Sequence, residues 1–286
     1  MRPFEILLFL ANLLAFAWLA FPFTGALHGL RSSMWIALLL AVGQMLIEGP
    51  RWPMAPSYTL AGIFFLVWFA QARGSLPAVH GLEGWPVTGL GVLFLVISLA
   101  LPLLIPVFHF QKPSGPYSIG TLTYHWVDTG RPEIFTPDSN DRRELVVQLW
   151  YPAQVNRFSP RSPYLPEAGK LISEFARVQG KPVINLLGSS LQYVTTHAVE
   201  AAPVAAGEPS YPVLIFLEGS TGYRQMNTFQ VEELVSQGFI VAAIDHPYAA
   251  ASVVFPDGRQ VAMPSLDQLQ PLVRAGYIPP EQTPVL

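Results

Sequence analysis

Residues Tyr211 to Ala250 read YPVLIFLEGSTGYRQMNTFQVEELVSQGFIVAAIDHPYAA, and the rest of the chain is organised around them. Val213 to Leu217 is an unbroken apolar run of β-branched, aliphatic and aromatic residues, which predicts a strand buried on both faces. A turn follows from Glu218 to Asn227, where Gly219 and Gly222 offer freedom at positive φ. Asn227 is placed to cap a helix, with Gln230 three residues on to complete a capping box. Val231, Leu234 and Val235 form the predicted buried stripe, and Gly238 stands where a C′ glycine belongs. Phe239 to Ile244 is a second doubly buried strand, so the stretch is a βαβ unit with an expected right-handed crossover. Ligands of such sheets bind beyond the carboxyl ends of the strands, so the loop beginning at Glu218 is where chemistry is expected.

The chain has 286 residues, of which 51% are hydrophobic and only 12% charged, against roughly 25% charged in an ordinary soluble domain. The apolar excess is concentrated in residues 1 to 110. Phe4 to Phe21, Ser33 to Ile47, Ser57 to Ala70 and Val87 to Phe108 are almost free of charge and predict four membrane spans, with two as the fallback. The second and third fall short of the roughly 20 apolar residues that cross a bilayer core. A cleaved signal peptide fits less well than an anchor, because three more apolar segments follow the first. The protein is therefore expected to be multi-pass, with the bilayer as a partner. Arg2, Arg51 and Lys112 on one side against Arg31 and Arg73 on the other do not set its orientation. Glu48 and Arg51 flank one loop at a spacing that allows them to pair. A net charge of −3 without a basic stripe argues against nucleic acid. The absence of cysteine excludes disulfides, thiol catalysis and thiolate metal sites.

Composition changes near Lys112, which gives a membrane region over 1–110, a linker over 111–117 marked by Pro113, Gly115 and Pro116, and a domain of ordinary polarity over 118–286. Leu122 to Asp128 alternates in polarity and Glu144 to Tyr151 is strand-like; the polar connection containing Pro132, Pro137 and Asp138 suggests an antiparallel pair at a sheet edge. Glu167 to Gln179 predicts a helix with Leu171, Ile172, Phe175 and Val178 on one face, and Pro182 to Leu191 a second. Such an apolar insertion suits packing on the sheet, covering a site or touching lipid. Asp257-Gly258 marks a tight turn before the proline-rich end from Pro264 to Leu286.

Several motifs in series resemble the platelet-activating-factor acetylhydrolase family, α/β-hydrolase serine esterases of the phospholipase A2 type. They are Gly115-Pro116-Tyr117-Ser118-Ile119-Gly120, Leu145 to Pro152 (LVVQLWYP), Tyr211 to Gly222, Gln237 to Ala243 running into Asp245-His246, and Ala250-Ala251-Ser252. The resemblance covers about Gly115 to Ser252, in the family's order. It implies a fold of helical membrane region followed by a partial α/β-hydrolase domain, a mixed, mostly parallel sheet with flanking helices. It also implies ester hydrolysis without a cofactor. The family's oxyanion turn reads His-Gly-x-Gly; here Glu218, Gly219, Ser220 and Thr221 align with it. The backbone N–H of Ser220 is then the implied oxyanion donor, a fixed dipole where charge develops on the carbonyl oxygen. Glu218 replaces a histidine and sets a negative charge beside that position, and Thr221 replaces a glycine.

No G-x-S-x-G elbow occurs in the sequence. Gly219-Ser220-Thr221-Gly222 and Gly188-Ser189-Ser190 are not that elbow. In the resemblance the nucleophile, acid and base all fall beyond Leu286, so the chain is expected to be truncated ahead of them, with no catalytic residue of its own, and inactive alone. Asp245 and His246 are adjacent, point in opposite directions on a strand end, and read as turn and packing residues. His28, His80, His109, His125 and His197 show no metal-ligand spacing. The reading is a membrane-anchored hydrolase of lipid or other hydrophobic esters. Its rivals are a small-ester hydrolase of the dienelactone-hydrolase type and a non-catalytic membrane protein with a degenerate hydrolase domain.

Overall fold

The computed structural model describes residues 1–21, 25–76, 85–136, 138–219 and 222–274; Pro137, His80 and the tail beyond residue 274 lie outside them. The chain divides into two compact units, Met1–Val107 and Phe108–Leu286.

The first unit holds four helices, α1 (Pro3–Ala20), α2 (Ser33–Ile47), α3 (Ala55–Ala72) and α4 (Trp85–Leu104). Each is long and apolar enough to cross a bilayer. With their 3₁₀ extensions the second and third reach 19 and 21 residues, Gly29–Ile47 and Trp52–Ala72, so neither is short. The fourth stops at Leu104 rather than Phe108, ahead of Pro106, a residue with no N–H for a helix to use. Alanines line the interior (Ala11, Ala15, Ala37, Ala41, Ala61), together with the polar Asn12, Gln44, Ser57 and Ser98. Leu39, Leu46, Leu66 and Leu104 face outward. Small residues let helix backbones approach closely.

Glu48 and Arg51 are neither a pair nor two solvated charges. Arg51 Nη1 donates to Glu5 at 2.7 Å, both side chains being almost wholly buried, and Arg51 Nη2 donates to the Ile105 carbonyl. Glu5 also accepts from the Arg2 backbone N–H at 2.9 Å and from Arg2 Nε at 3.0 Å. Glu48 instead takes the Phe4 N–H at 3.0 Å and lies 3.5 Å from Arg2 Nε. The first turn of α1 thus supplies partners to the loop between α2 and α3, which no local spacing reveals.

The second unit is built on β1 (Ser118–Pro132), β2 (Arg142–Ala153), β3 (Ala198–Glu200), β4 (Val213–Leu217) and β5 (Ile240–Asp245) in the order β3-β1-β2-β5-β4. Around it lie α5 (Ala168–Val178), α6 (Val183–Gly188), α7 (Thr228–Ser236), a hairpin β6 (Ser252–Val254) and β7 (Gln260–Ala262), and α8 (Leu266–Arg274). β1 and β2 are antiparallel as expected, but β2 is central, paired also with β5. β4 and β5 run parallel, joined through α7. Val231 and Val235 of α7 close a core with Ile119, Trp150, Val241 and Ala243. The hairpin turns at Gly258, whose φ of 85° and N–H to the Phe255 carbonyl (2.9 Å) fit the Asp257-Gly258 signal.

Four expectations around β4–α7–β5 are corrected. β4, at the edge of the sheet, is not buried on both faces: Val213, Ile215 and Leu217 are 60%, 70% and 60% exposed, because α7 covers only the Phe216 side. Asn227 makes no side-chain cap; its carbonyl accepts the Gln230 and Val231 N–H groups. The buried stripe of α7 includes Thr228, Glu232 and Ser236 beside the two valines, while Leu234 is exposed. β5 begins at Ile240, since the Phe239 N–H closes the helix end on the Leu234 carbonyl (3.2 Å) and the Gly238 N–H on Val235 (3.0 Å). That is a Schellman end, with Gly238 at φ 99°. Residues 114–117 run along the same helix end: Gly115 N–H donates to Ser236 Oγ (3.0 Å) and Tyr117 N–H to the Ser236 carbonyl (3.1 Å).

Removing one partner of a buried pair leaves the other uncompensated, at a cost of about 3–5 kcal/mol. Arg51→Leu should therefore lower the melting temperature of the protein in detergent micelles sharply. Glu5→Leu added to it should recover much of the loss. Unchanged melting of the single variant would show that the pair carries no stability.

Candidate active site

The carboxyl ends of β4 and β5 lie side by side, Leu217 opposite Ile244, so the residues that follow, Glu218 and His246, meet. Glu218 Oε1 accepts the His246 backbone N–H at 2.8 Å and lies 2.9 Å from His246 Nδ1, with Oε2 at 3.0 Å. The carboxylate is almost fully buried and the imidazole about one-third exposed. The charge that Glu218 brings to the turn is therefore met by His246.

Asp245 points the other way, as strand alternation requires. It is wholly buried and accepts the Arg224 backbone N–H at 2.5 Å and the Arg224 guanidinium through Nη1. Burial pushes the Asp245 carboxyl up from its ordinary value, while the Arg224 charge and hydrogen bonds pull it down. Arg224 Nε continues to Gln148 Oε1 (3.3 Å), and Gln148 Nε2 to Thr121 Oγ1 (3.0 Å). Thr121 then donates to the Leu149 carbonyl at 2.9 Å, so the polar chain ends on the sheet backbone.

Between these two pairs the turn closes on itself, Gly222 N–H to the Gly219 carbonyl at 2.7 Å. Neither glycine has a positive φ, so the expected reason for them is corrected. A Cβ on Gly222 would sit 2.8 Å from the Gly219 carbonyl oxygen, whereas one on Gly219 would meet nothing within 4 Å. Close approach requires the second glycine. Ser220, the expected oxyanion donor, and Thr221 lie outside the described residues.

Behind the turn Tyr223 reaches Tyr164, hydroxyl to hydroxyl at 3.3 Å, and burial pushes the Tyr164 phenol upward. Rings of Phe108 and Phe110 stand edge-on to Tyr164. Gly188-Ser189-Ser190 sits where α6 passes into a 3₁₀ turn, Ser189 Oγ donating to the Leu186 carbonyl at 2.8 Å; no strand leads into it.

His197 is not isolated. Glu232, fully buried on α7, accepts its backbone N–H at 2.5 Å and lies 2.8 Å from its Nδ1. The signal for this lies in the helix period: Glu232 follows Thr228 by four residues and precedes Ser236 by four, on the face that carries Val231 and Val235. A carboxylate on a buried stripe needs a partner.

Comparison with known proteins gives the family of the chain. The family described as platelet-activating factor acetylhydrolase, isoform II, matches residues 106–266, more than half of the chain. The chain belongs to this family. A platelet-activating factor acetylhydrolase of Cavia porcellus is 30% identical over 198 residues, covering 64% of this chain and 41% of its own length. One of Canis lupus familiaris is 28% identical over 151 residues, covering 50% and 30%. The chain thus spans less than half the length of these relatives. A ferulic acid esterase from Streptomyces cinnamoneus aligns in structure with a TM-score of 0.46 and 33% identity, over 59% of this chain and 46% of its own.

Gly222→Ala should destabilise the protein by about 1–3 kcal/mol, the usual range for forcing extra volume into a closed site, while Gly219→Ala should stay near the parent. Chemical denaturation of both variants checks the contrast; equal stabilities would remove the close-approach account.

Proposed function

We propose that this protein is a membrane-anchored carboxylic-ester hydrolase acting on lipid or other hydrophobic esters through an acyl-serine intermediate. The observation that carries the reading is the family match over residues 106–266, with its glycine turn at the carboxyl end of β4. Within that reading the Ser220 N–H donates to the oxyanion, and residues 1–286 supply the oxyanion turn but not the nucleophile, since no G-x-S-x-G occurs among them. No cofactor enters this chemistry. Residues 1–110 serve as a multi-pass anchor, 111–117 as a linker, and 118–286 as part of an α/β-hydrolase domain. The apolar exterior and small, polar interior of the four helices support the anchor. A buried Glu218 beside the turn favours a second reading, a non-catalytic domain that binds or scaffolds at the membrane.

Two measurements test this. Carbonate washing should leave the protein in the membrane pellet; release into the supernatant would exclude integral insertion. The 286-residue chain should neither hydrolyse p-nitrophenyl butyrate nor take a fluorophosphonate label, whereas a longer product of the same reading frame should do both. Labelling of a serine within residues 1–286, with turnover, would overturn the assignment of the nucleophile. A longer product that carries an elbow and still lacks turnover would favour the scaffold.

A further inference from the structure

We infer that Asp245 and His246 are a pair of positioning residues that hold Glu218 and Arg224, the two ends of one turn, in place. The inference rests on reading that turn as the oxyanion turn, but its test does not depend on turnover.

The two residues are consecutive at the end of β5, so their side chains leave on opposite sides of the sheet. One seizes each end of the turn. Glu218, at the start, accepts both the backbone N–H and the Nδ1 side of His246, at 2.8 and 2.9 Å. Arg224, at the end, gives both its backbone N–H (2.5 Å) and its guanidinium to Asp245. Each clamp therefore joins a carboxylate to the backbone and the side chain of a single partner residue, which fixes orientation as well as distance. Inside the clamps the Gly222 N–H closes on the Gly219 carbonyl at 2.7 Å, and the Gly222 carbonyl accepts the Ala251 N–H at 3.1 Å. A fixed dipole stabilises a developing charge only if it need not reorganise when the charge appears. Clamping both ends is a direct way to meet that need.

The two clamps lie on opposite sides of the strand end. Glu218 meets the His246 ring from the end of β4; Asp245, on the same strand as His246, is turned to Arg224, which reaches it from the turn.

Amide hydrogen exchange by NMR on the 286-residue chain in micelles, corrected for intrinsic rates, tests the inference. His246→Ala should raise the opening measured at Gly222 by about 10- to 100-fold, as expected for losing a charge-assisted hydrogen bond. His246→Asn keeps a donor at the place of Nδ1 and should restore protection. Glu218→Gln should raise the opening as well, because the amide no longer offers a carboxylate to the His246 N–H and ring. Asp245→Asn should loosen Arg224 at the other end of the turn. Val235 in α7 and Val241 in β5 report whether the fold survives. Equal protection of Gly222 in the Ala variant and the parent would overturn the inference, as would equal exposure in the Ala and Asn variants. If His246→Ala unfolds the domain, the isosteric Glu218→Gln decides the matter, and unchanged protection of Gly222 in that variant would overturn the inference. A chain that shows all these effects yet never hydrolyses an ester would sink the enzyme reading and leave the clamps standing.

Discussion

A carboxylate removed from water must be given donors, and that constraint shapes both units of this protein. Glu5, Glu218, Glu232 and Asp245 are all nearly or wholly buried. Each accepts both the backbone N–H and the side chain of one residue, Arg2, His246, His197 and Arg224 respectively, and Glu5 takes Arg51 as well. An unpaired buried charge costs far more than a folded domain can spare, so these contacts are fixed points around which neighbouring segments are placed. The backbone half of each contact matters as much as the ionic half. It ties a chain segment, not a mobile side chain, to the acid. In this way Glu232 anchors the entry to β3 on α7, and Glu218 anchors the exit of β5 on the exit of β4.

Much of the local structure was legible in the sequence because its causes are local. The apolar runs at Val213–Leu217 and Ile240–Ile244 became strands, Gly238 ended a helix at positive φ, and Asp257-Gly258 turned a hairpin. Most of what failed depends on residues far away in the chain. The apolar run of β4 says that water is unwelcome on both faces, but which face is covered depends on its neighbours; here α7 covers one and the other stays exposed. Asn227 has the residue type for a cap, yet Thr228 Oγ1 turns back to the Gln225 carbonyl at 2.7 Å and the local turn takes over. Leu234 matched the helix stripe by type, and Glu232 displaced it because His197 offered a partner that no short window shows.

The candidate site follows the same division. The strand–turn–helix pattern at the carboxyl end of β4 could be read from the sequence. That Glu218 would be met by His246, and Asp245 by Arg224, could not, because both pairings join residues more than twenty positions apart. The adjacency of Asp245 and His246 was readable, and so was its consequence that the two cannot face each other.

Glu218 stands where the resemblance expects a histidine, and its carboxylate does not stand alone: its oxygens are directed at the imidazole and N–H of His246. The second carboxylate nearby, Asp245, is likewise directed at Arg224. A buried acid that looks misplaced when the turn is read as a short motif has its partner on the strand beside it, because β4 and β5 run parallel and end side by side.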